Sequence, residues 1–278
     1  MGTLHLVSTP IGNLGDVTRR AAGVLGSVDT VLAEDTRRTR ILLEHLGLKT
    51  RLRSLHAHNE AQRVEEVLEA LERGDELALV SDAGTPGVSD PGARLARAAA
   101  EAGHRVVPVP GPSAVLAALA ASGLPADRFT FLGFPPRKGG ERDALLERVA
   151  SAAETVVLFE SPERLVALLG DLEALCGPDR RVAVARELTK VHEEFVRGTI
   201  EEARRYYGEN PPRGEVTVVV EAAPEAGEPD AVDEEAARAL ARALLDEGHR
   251  PSRAAREVSR RLGVPRNLAY EIVHSLPR

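Results

Sequence analysis

Short apolar runs alternate with amphipathic stretches over the first 121 residues of the chain. The runs with the length and composition of strands are residues 4–8, 30–33, 52–55, 77–81 and 105–109. The stretches with helical spacing are residues 17–25, 37–46, 61–73, 93–102 and 113–121. Strands that alternate with helices predict an α/β domain with a mostly parallel sheet. Gly and Pro end this pattern, so we place the first domain at residues 1–123.

A second α/β unit is predicted at residues 124–223. Its strands are expected at residues 129–133, 155–160, 181–186 and 215–221, and residues 193–197 are a candidate for pairing with them. Its helices are expected at residues 142–152, 163–175 and 200–207. The fold class that this pattern predicts is therefore α/β, in two domains.

The last part of the chain has a different pattern. Residues 224–232 are acidic and contain Pro and Gly, which is typical of a linker, and residues 233–278 have helical spacing throughout. Two short helices around a glycine turn resemble a helix-turn-helix. From residue 248 onward the sequence has seven Arg against two Glu, which suggests a module for nucleic acid. A helical cap or dimerisation element with a solvated Arg face is an equally open alternative.

Charge and cysteine content narrow the function classes. The 278 residues carry a formal net charge of −7, which argues against nonspecific nucleic-acid binding over the whole surface. The single cysteine, Cys176, rules out an intrachain disulfide and a cysteine metal cluster, so we expect no metal and a cytoplasmic location. No apolar run approaches the length of roughly 20 residues that a membrane span needs, so no membrane association is expected.

Five loops rich in Gly, Pro and polar residues follow the five predicted strands of the first domain. They are residues 8–14, 33–37, 56–60, 81–92 and 109–114. Carboxyl ends of parallel strands meet at one edge of a sheet, so these loops predict a ligand site there. Tight turns alone are the simpler alternative for the loop at 81–92. The glycine patterns of ordinary dinucleotide folds and of P-loop proteins are both absent.

Six short motifs resemble the ribosomal RNA small subunit methyltransferase I family, which belongs to the tetrapyrrole methylase superfamily. They lie in order at residues 9–14, 33–37, 81–86, 110–114, 159–162 and 186–190. The resemblance implies a two-domain tetrapyrrole-methylase-like fold with a small C-terminal helical module. It also implies a homodimer that uses S-adenosylmethionine to methylate the 2′-hydroxyl of a cytidine ribose in the decoding region of 16S rRNA, in the small ribosomal subunit.

The resemblance also assigns residues to the cofactor. The expected S-adenosylmethionine contacts are Pro10, Asp82, Gly84, Thr85, Ser113, Ala114, Phe159, Leu188 and Thr217.

We expect the residues that contact the substrate to lie along the same edge of the sheet. We hypothesise that Asp35 or Glu60 orients the ribose hydroxyl, and His58 is a further catalytic candidate. The alternative is that Glu34 and Asp35 only pair with neighbouring arginines. The candidates for contacts with substrate RNA are Arg37, Arg38, Arg40 and Asn59.

Two other functions remain open at this point. One is methylation of a small tetrapyrrole-like substrate on the same fold, although a small substrate needs neither the Arg cluster nor the basic tail. The other is a non-catalytic RNA-binding assembly factor that has lost its cofactor.

Overall fold

The computed structural model describes residues 1–224, 234–247, 249, 251–264 and 266–276. Except for Pro224, the predicted linker at 224–232 lies outside the described residues, as do Arg250 and Arg278 of the basic tail. The chain forms two compact units, Met1–Ala223 and Pro224–Arg278, and each is described separately below.

The first sheet contains five strands that all run parallel, in the order β3-β2-β4-β1-β5. The strands are β1 (Thr3–Val7), β2 (Thr30–Ala33), β3 (Arg51–Ser54), β4 (Leu77–Val80) and β5 (Arg105–Val109). The helices between them are α1 (Arg19–Ser27), α2 (Thr36–His45), α3 (Glu60–Glu72) and α4 (Ala93–Glu101). The predicted parallel α/β domain is confirmed, with each strand and helix displaced by only a few residues at its ends.

Alternate side chains of these strands enter two different cores. Val31 and Val80 pack with α1 and α2 on one face of the sheet, whereas Leu32 and Leu79 pack with α3 and α4 on the other. Both faces are covered, so β2 and β4 are buried at every position and, apart from Thr30, are apolar. This is why the sequence shows these strands as continuous apolar runs.

The chain leaves β1 and β4, which are neighbours, in opposite directions. From β1 it crosses β4 to reach β2, and from β4 it crosses β1 to reach β5. Such a change of direction opens a crevice beyond the carboxyl ends of the two strands. The two loops that flank the crevice pair with each other, since Thr9 N–H donates to Gly84 O at 2.9 Å and Gly84 N–H donates to Thr9 O at 3.1 Å.

The second sheet is mixed and has the order β6-β7-β10-β8-β9. Its strands are β6 (Phe129–Phe131), β7 (Thr155–Glu160), β8 (Arg181–Arg186), β9 (Glu194–Thr199) and β10 (Val216–Val220). Only β6 and β7 pair in parallel, and the predicted pairing of the segment at 193–197 is confirmed by β9 beside β8. The two sheets confirm the predicted α/β class.

Four helices cover the second sheet. One face carries α6 (Gly140–Ala150), α7 (Pro162–Cys176) and α8 (Ile200–Glu209), and the other carries α5 (Ala114–Ser122). Helix α5 directly follows the first sheet along the chain but packs on the second, through Val115, Ala118 and Leu119. Residue 123, at which we divide the two α/β domains, lies at its end.

The C-terminal unit consists of three helices among its described residues. They are α9 (Glu234–Asp246), α10 (Pro251–Leu262) and α11 (Arg266–Ser275). Ala241, Val258 and Ile272 are buried together, one from each helix, and form part of a separate core. The predicted helical module is therefore confirmed.

A close backbone approach joins the loop after β1 to the turn after β8. We call this contact, between Gly12 and residues 187–190, the clasp. A Cβ atom on Gly12 would fall 2.5 Å from Lys190 Cγ and 2.9 Å from the backbone oxygen of Leu188. The turn is itself fixed, because Lys190 Nζ donates to Glu187 Oε1 at 2.7 Å and to Glu215 Oε2 at 3.0 Å. Only glycine fits on the opposite side of the clasp.

We predict that Gly12→Ala lowers the free energy of unfolding by about 1–3 kcal/mol, because the new methyl group overlaps the clasp. Urea unfolding followed by circular dichroism measures this change. Gly23→Ala is the matched control: Gly23 lies inside α1 with nothing near its added Cβ, and alanine there should stabilise the protein by about 0.5–1 kcal/mol. Equal unfolding midpoints for Gly12→Ala and the unsubstituted protein would contradict the prediction.

Candidate functional site

A cleft of about 390 Å³ lies at the crevice beyond β1 and β4. The loop after β4 and the first turn of α5 form one side, and the carboxyl end of β7 and the start of β10 form the other. Its volume falls within the range of pockets that hold small molecules and cofactors, roughly 300–1,000 Å³. The two α/β sheets thus both contribute to one site.

Most of the predicted cofactor residues line this cleft. They are Asp82, Gly84, Thr85, Ser113, Ala114, Phe159 and Thr217. Pro10 and Leu188 are outside the lining. Pro10 precedes Ile11, which does line the cleft, and Leu188 is buried in the core that contains Ile11. The structure therefore places Leu188 behind the wall that contains Ile11, and contacts between any of the nine residues and a cofactor stay predictions.

Hydrogen bonds to the loop after β1 fix the loop after β4. Ser8 Oγ and Thr85 Oγ1 share a hydrogen bond of 2.9 Å, in addition to the backbone pair between Thr9 and Gly84. Gly84 has a φ of +83°, a conformation that glycine adopts without steric cost. Ser89 reaches a φ of +61° without that advantage and lines the cleft. Strained residues of this kind concentrate at functional sites.

Acidic side chains gather at the mouth of the cleft. Burial raises the pKa of the Glu34 carboxyl, and the nearby charges of Asp90 and Asp82 raise it further. The pKa of Asp90 is also raised, mainly by burial and also by Asp82, although a hydrogen bond with Ser81 opposes the change. Asp82 is oriented by the N–H of Asp35, which donates to its Oδ1 at 2.9 Å. Asp82 and Asp90 line the cleft.

One buried carboxylate oxygen lacks a partner among the residues that the structure describes. The Glu160 side chain is fully buried, and its Oε1 accepts the N–H of Ser161 at 2.7 Å and pairs with Arg164. Its Oε2 has no hydrogen bond, although Glu160 lines the cleft. A buried acceptor without a donor carries a desolvation cost that a ligand with N–H or O–H groups would remove.

These features fit S-adenosylmethionine. The cofactor has amino and hydroxyl donors, and Glu160 Oε2 is an acceptor without a partner within the described residues. Backbone N–H groups of the first turn of a helix have no partner inside the helix, and the first turn of α5 lines the cleft. Ile11, Val88 and Val216 add apolar surface.

The three predicted catalytic residues lie outside the cleft lining. Asp35 begins α2: its Oδ1 accepts the N–H of Arg37 at 2.8 Å, and its Oδ2 pairs with the Arg37 guanidinium at 2.6 Å. Hydrogen bonds from the Arg37 side chain and backbone lower the pKa of Asp35 to about 2. The structure thus contains the ion pair that the sequence left open as an alternative for Asp35.

Glu60 and His58 lie near the same sheet edge. Glu60 Oε1 accepts hydrogen bonds from the backbone N–H groups of Gly92 and Leu95, at 3.1 and 3.0 Å. Its carboxylate therefore supplies an acceptor for N–H groups at the start of α4 that have no partner within the helix. His58 is exposed, and its ring centroid lies 5.9 Å from that of His56. The catalytic roles of Asp35, Glu60 and His58 stay predictions.

Of the four residues predicted to bind RNA, one lines the cleft and three lie outside its lining. Arg37 and Arg40 are exposed on α2, and Arg38 lines the cleft with its Nε 3.7 Å from Asp82 Oδ2. Asn59 accepts the N–H of His56 at 2.8 Å and so stabilises the turn before α3.

Among the cleft residues that were not predicted as site residues from the sequence, Asp90, Glu160 and Phe134 matter most for function. Glu160 belongs to the motif at 159–162, but its free oxygen is visible only in the structure. Phe134 is 56% exposed, and sequence patterns predict burial for a phenylalanine.

Two structural absences apply to the described residues only. Within them, no three His, Cys, Asp or Glu side chains are placed to hold a metal ion together. In the same part of the chain, none of the helices has the length and apolar character needed to cross a membrane.

Comparison with known proteins identifies the family. Residues 3–204 match the model of the tetrapyrrole (corrin/porphyrin) methylases, and residues 230–276 match that of the RsmI C-terminal HTH domain. A uroporphyrin-III C-methyltransferase from Thermus thermophilus shares the fold, with a TM-score of 0.57 and 23% identity over 79% of this chain and 94% of that one.

Two curated relatives are named ribosomal RNA small subunit methyltransferase I. The protein from Synechocystis sp. is 46% identical over 98% of this chain and 97% of its own length, and that from Haemophilus influenzae is 41% identical over 97% and 95%. The prediction of a methyltransferase family that uses S-adenosylmethionine is confirmed. The chain belongs to the ribosomal RNA small subunit methyltransferase I family of the tetrapyrrole methylases.

Proposed function

We propose that this protein transfers a methyl group from S-adenosylmethionine to the 2′-hydroxyl of a cytidine ribose in the decoding region of 16S rRNA. One observation carries the proposal: seven of the nine predicted cofactor residues line a single cleft, in a chain 46% identical to a relative named for ribosomal RNA small subunit methylation. The protein acts on the small ribosomal subunit in the cytoplasm, as a homodimer.

The cleft holds the cofactor through residues of both sheets. Asp82, Gly84, Thr85, Ser113 and Ala114 bind it from the first sheet's edge and α5, and Phe159 and Thr217 bind it from the second sheet. Leu188 packs in the same core as Ile11 and supports that wall, and Pro10 directly precedes Ile11 in the chain. Bound S-adenosylmethionine supplies a methyl group on a positively charged sulfur.

Asp90 accepts the proton that the ribose hydroxyl loses as its oxygen gains the methyl group. Its raised pKa makes it a stronger base than an ordinary aspartate, and it lines the cleft. Asp35 and Glu60 are less suited to this role, because Arg37 and the start of α4 already engage their carboxylates. The apolar walls exclude water, which favours a reaction in which the sulfonium charge disappears.

Substrate RNA approaches over α2. Arg38 lines the cleft, Arg37 and Arg40 are exposed on the same helix, and we assign all three to contacts with phosphates. Asn59 holds the neighbouring turn. In the C-terminal unit, Arg253 and Arg256 are exposed on α10, the middle helix of a module whose family model describes a helix-turn-helix domain. We assign that module to RNA contact as well.

Methylation of a small tetrapyrrole is the second candidate. The solved structures with this fold include a uroporphyrin-III C-methyltransferase and a cobalt precorrin-4 methyltransferase. Their sequence identity to this chain is 23% and 20%, so the similarity extends to the fold and not to the substrate.

The direct test offers the protein labelled S-adenosylmethionine with either purified small ribosomal subunits or uroporphyrinogen. We expect label to enter the RNA of the small subunits and not the porphyrinoid. Label in the porphyrinoid alone would favour the second candidate. Absence of transfer to both acceptors, with S-adenosylmethionine still bound, would contradict the proposed activity.

A second prediction concerns the proton acceptor. Asp90→Asn should slow methyl transfer by roughly 100-fold or more, because the amide cannot take the hydroxyl proton. In the unsubstituted protein the rate should fall as the pH drops through the raised pKa of Asp90, since the base works only when deprotonated.

The comparison variants are Asp35→Asn and Glu60→Gln, each expected to retain activity within tenfold. Single-turnover rates of all three variants between pH 5 and 8 identify which carboxylate accepts the proton. Circular dichroism checks that each variant is folded. A larger loss in either comparison variant than in Asp90→Asn would assign the proton to that residue instead.

A further inference from the structure

We infer that Phe134 is the stacking platform for the target nucleobase, and that Arg137 and Lys138 hold the adjoining phosphates. This inference rests on the proposed function and adds to it a surface that positions the substrate. The three residues belong to one loop, residues 133–139, between β6 and α6. We call it the platform loop.

Phe134 stands at the open end of a row of aromatic rings. The Phe131 and Phe159 ring centroids are 4.9 Å apart at an angle of 67°, and the Phe134 centroid lies 5.4 Å from that of Phe159. Phe131 and Phe159 pack against the core, whereas Phe134 is 56% exposed and lines the mouth of the cleft. The row therefore ends in a ring that has room for another flat group.

Two arginines, one on α6 and one on α7, hold the platform loop through hydrogen bonds to its backbone. Arg164 Nη1 donates to the backbone oxygen of Pro135 at 3.2 Å, and Arg142 Nη1 donates to that of Pro136 at 3.1 Å. Arg142 is buried and also pairs with Asp171 at 2.6 Å. The two prolines restrict the backbone further. Phe134 is therefore held in its exposed position by a restrained loop.

Charge on the platform loop points to the kind of ligand. Arg137 and Lys138 are exposed, and within the described residues neither forms an ion pair. Lys138 is one of only three lysines in the chain. An aromatic ring beside unpaired cations is the combination that binds single-stranded nucleic acid, because bases stack on the ring while cations follow the phosphates. A nucleotide that reacts in an enclosed cleft must leave its own stack, and the platform replaces the lost contact.

The position of Phe134 favours the substrate base over the cofactor. Phe159 lies deeper in the cleft, partly buried between Phe131 and Phe134, and is the aromatic wall for the cofactor. Loss of the Phe134 ring should therefore affect binding of the subunit and leave binding of S-adenosylmethionine unchanged.

The test measures methyl transfer to purified small subunits and, separately, S-adenosylmethionine affinity by calorimetry. We expect Phe134→Ala to raise KM for the subunit at least tenfold, with the S-adenosylmethionine Kd unchanged within twofold. Phe134→Tyr should restore KM, because the ring is kept. Tyr206→Ala is the matched control, since Tyr206 is an exposed aromatic on α8 outside the cleft lining.

A second variant makes the test independent of the folding of Phe134→Ala. Arg137→Ala combined with Lys138→Ala should also raise KM at least tenfold and flatten its dependence on salt. A rise of less than tenfold in both variants, or an S-adenosylmethionine Kd that weakens by the same factor as KM, would overturn the inference. Absence of transfer by the unsubstituted protein would overturn the proposed function and this inference together. Transfer by the unsubstituted protein with unchanged variants would overturn the inference alone.

Discussion

The parallel pairing of β1 with β4 is the constraint on which the site depends. The chain leaves these two strands in opposite directions, so their loops face each other across a crevice and pair through Thr9 and Gly84. Helix α5 then carries the chain from the first sheet onto the second. The clasp between Gly12 and the turn after β8 holds the second sheet against this edge. The change of direction at β1 and β4 thus produces one wall of the cleft, and α5 and the clasp bring up the second sheet as the other wall.

Much of this fold could be predicted from the sequence, for a physical reason. Strands buried on both faces are almost entirely apolar, and β4 and, apart from Thr30, β2 are recognisable as such. The order of strands within each sheet was not predictable, because it depends on contacts between residues far apart in the chain. The position of α5 is a similar case: its residues are small and apolar on all sides, so its sequence does not indicate which sheet it covers.

The sequence indicated where the site lies, at one edge of the first sheet, but not the environment of each side chain in it. The motif loops do meet, but the role of an acid depends on its neighbours in space. Glu60 is engaged by the start of α4, and Asp35 by Arg37, whereas burial raises the pKa of Asp90 and leaves Glu160 Oε2 without a donor within the described structure. Only the pairing of Asp35 with Arg37 was an alternative that the local sequence offered, and the other environments do not follow from it. The same applies to Phe134, whose exposure depends on Arg142 and Arg164 from other elements.

The most direct test of this account is calorimetric titration of the protein with S-adenosylmethionine, beside two variants of α5. We predict one site per chain with a Kd near micromolar, about −8 kcal/mol, and a Kd at least tenfold weaker in Ala114→Phe, whose ring would fill the cleft. Leu116→Phe, an exposed position on the same helix, should bind as the unsubstituted protein does. Absence of binding, or equal affinity in Ala114→Phe, would contradict the assignment of the cleft to the cofactor.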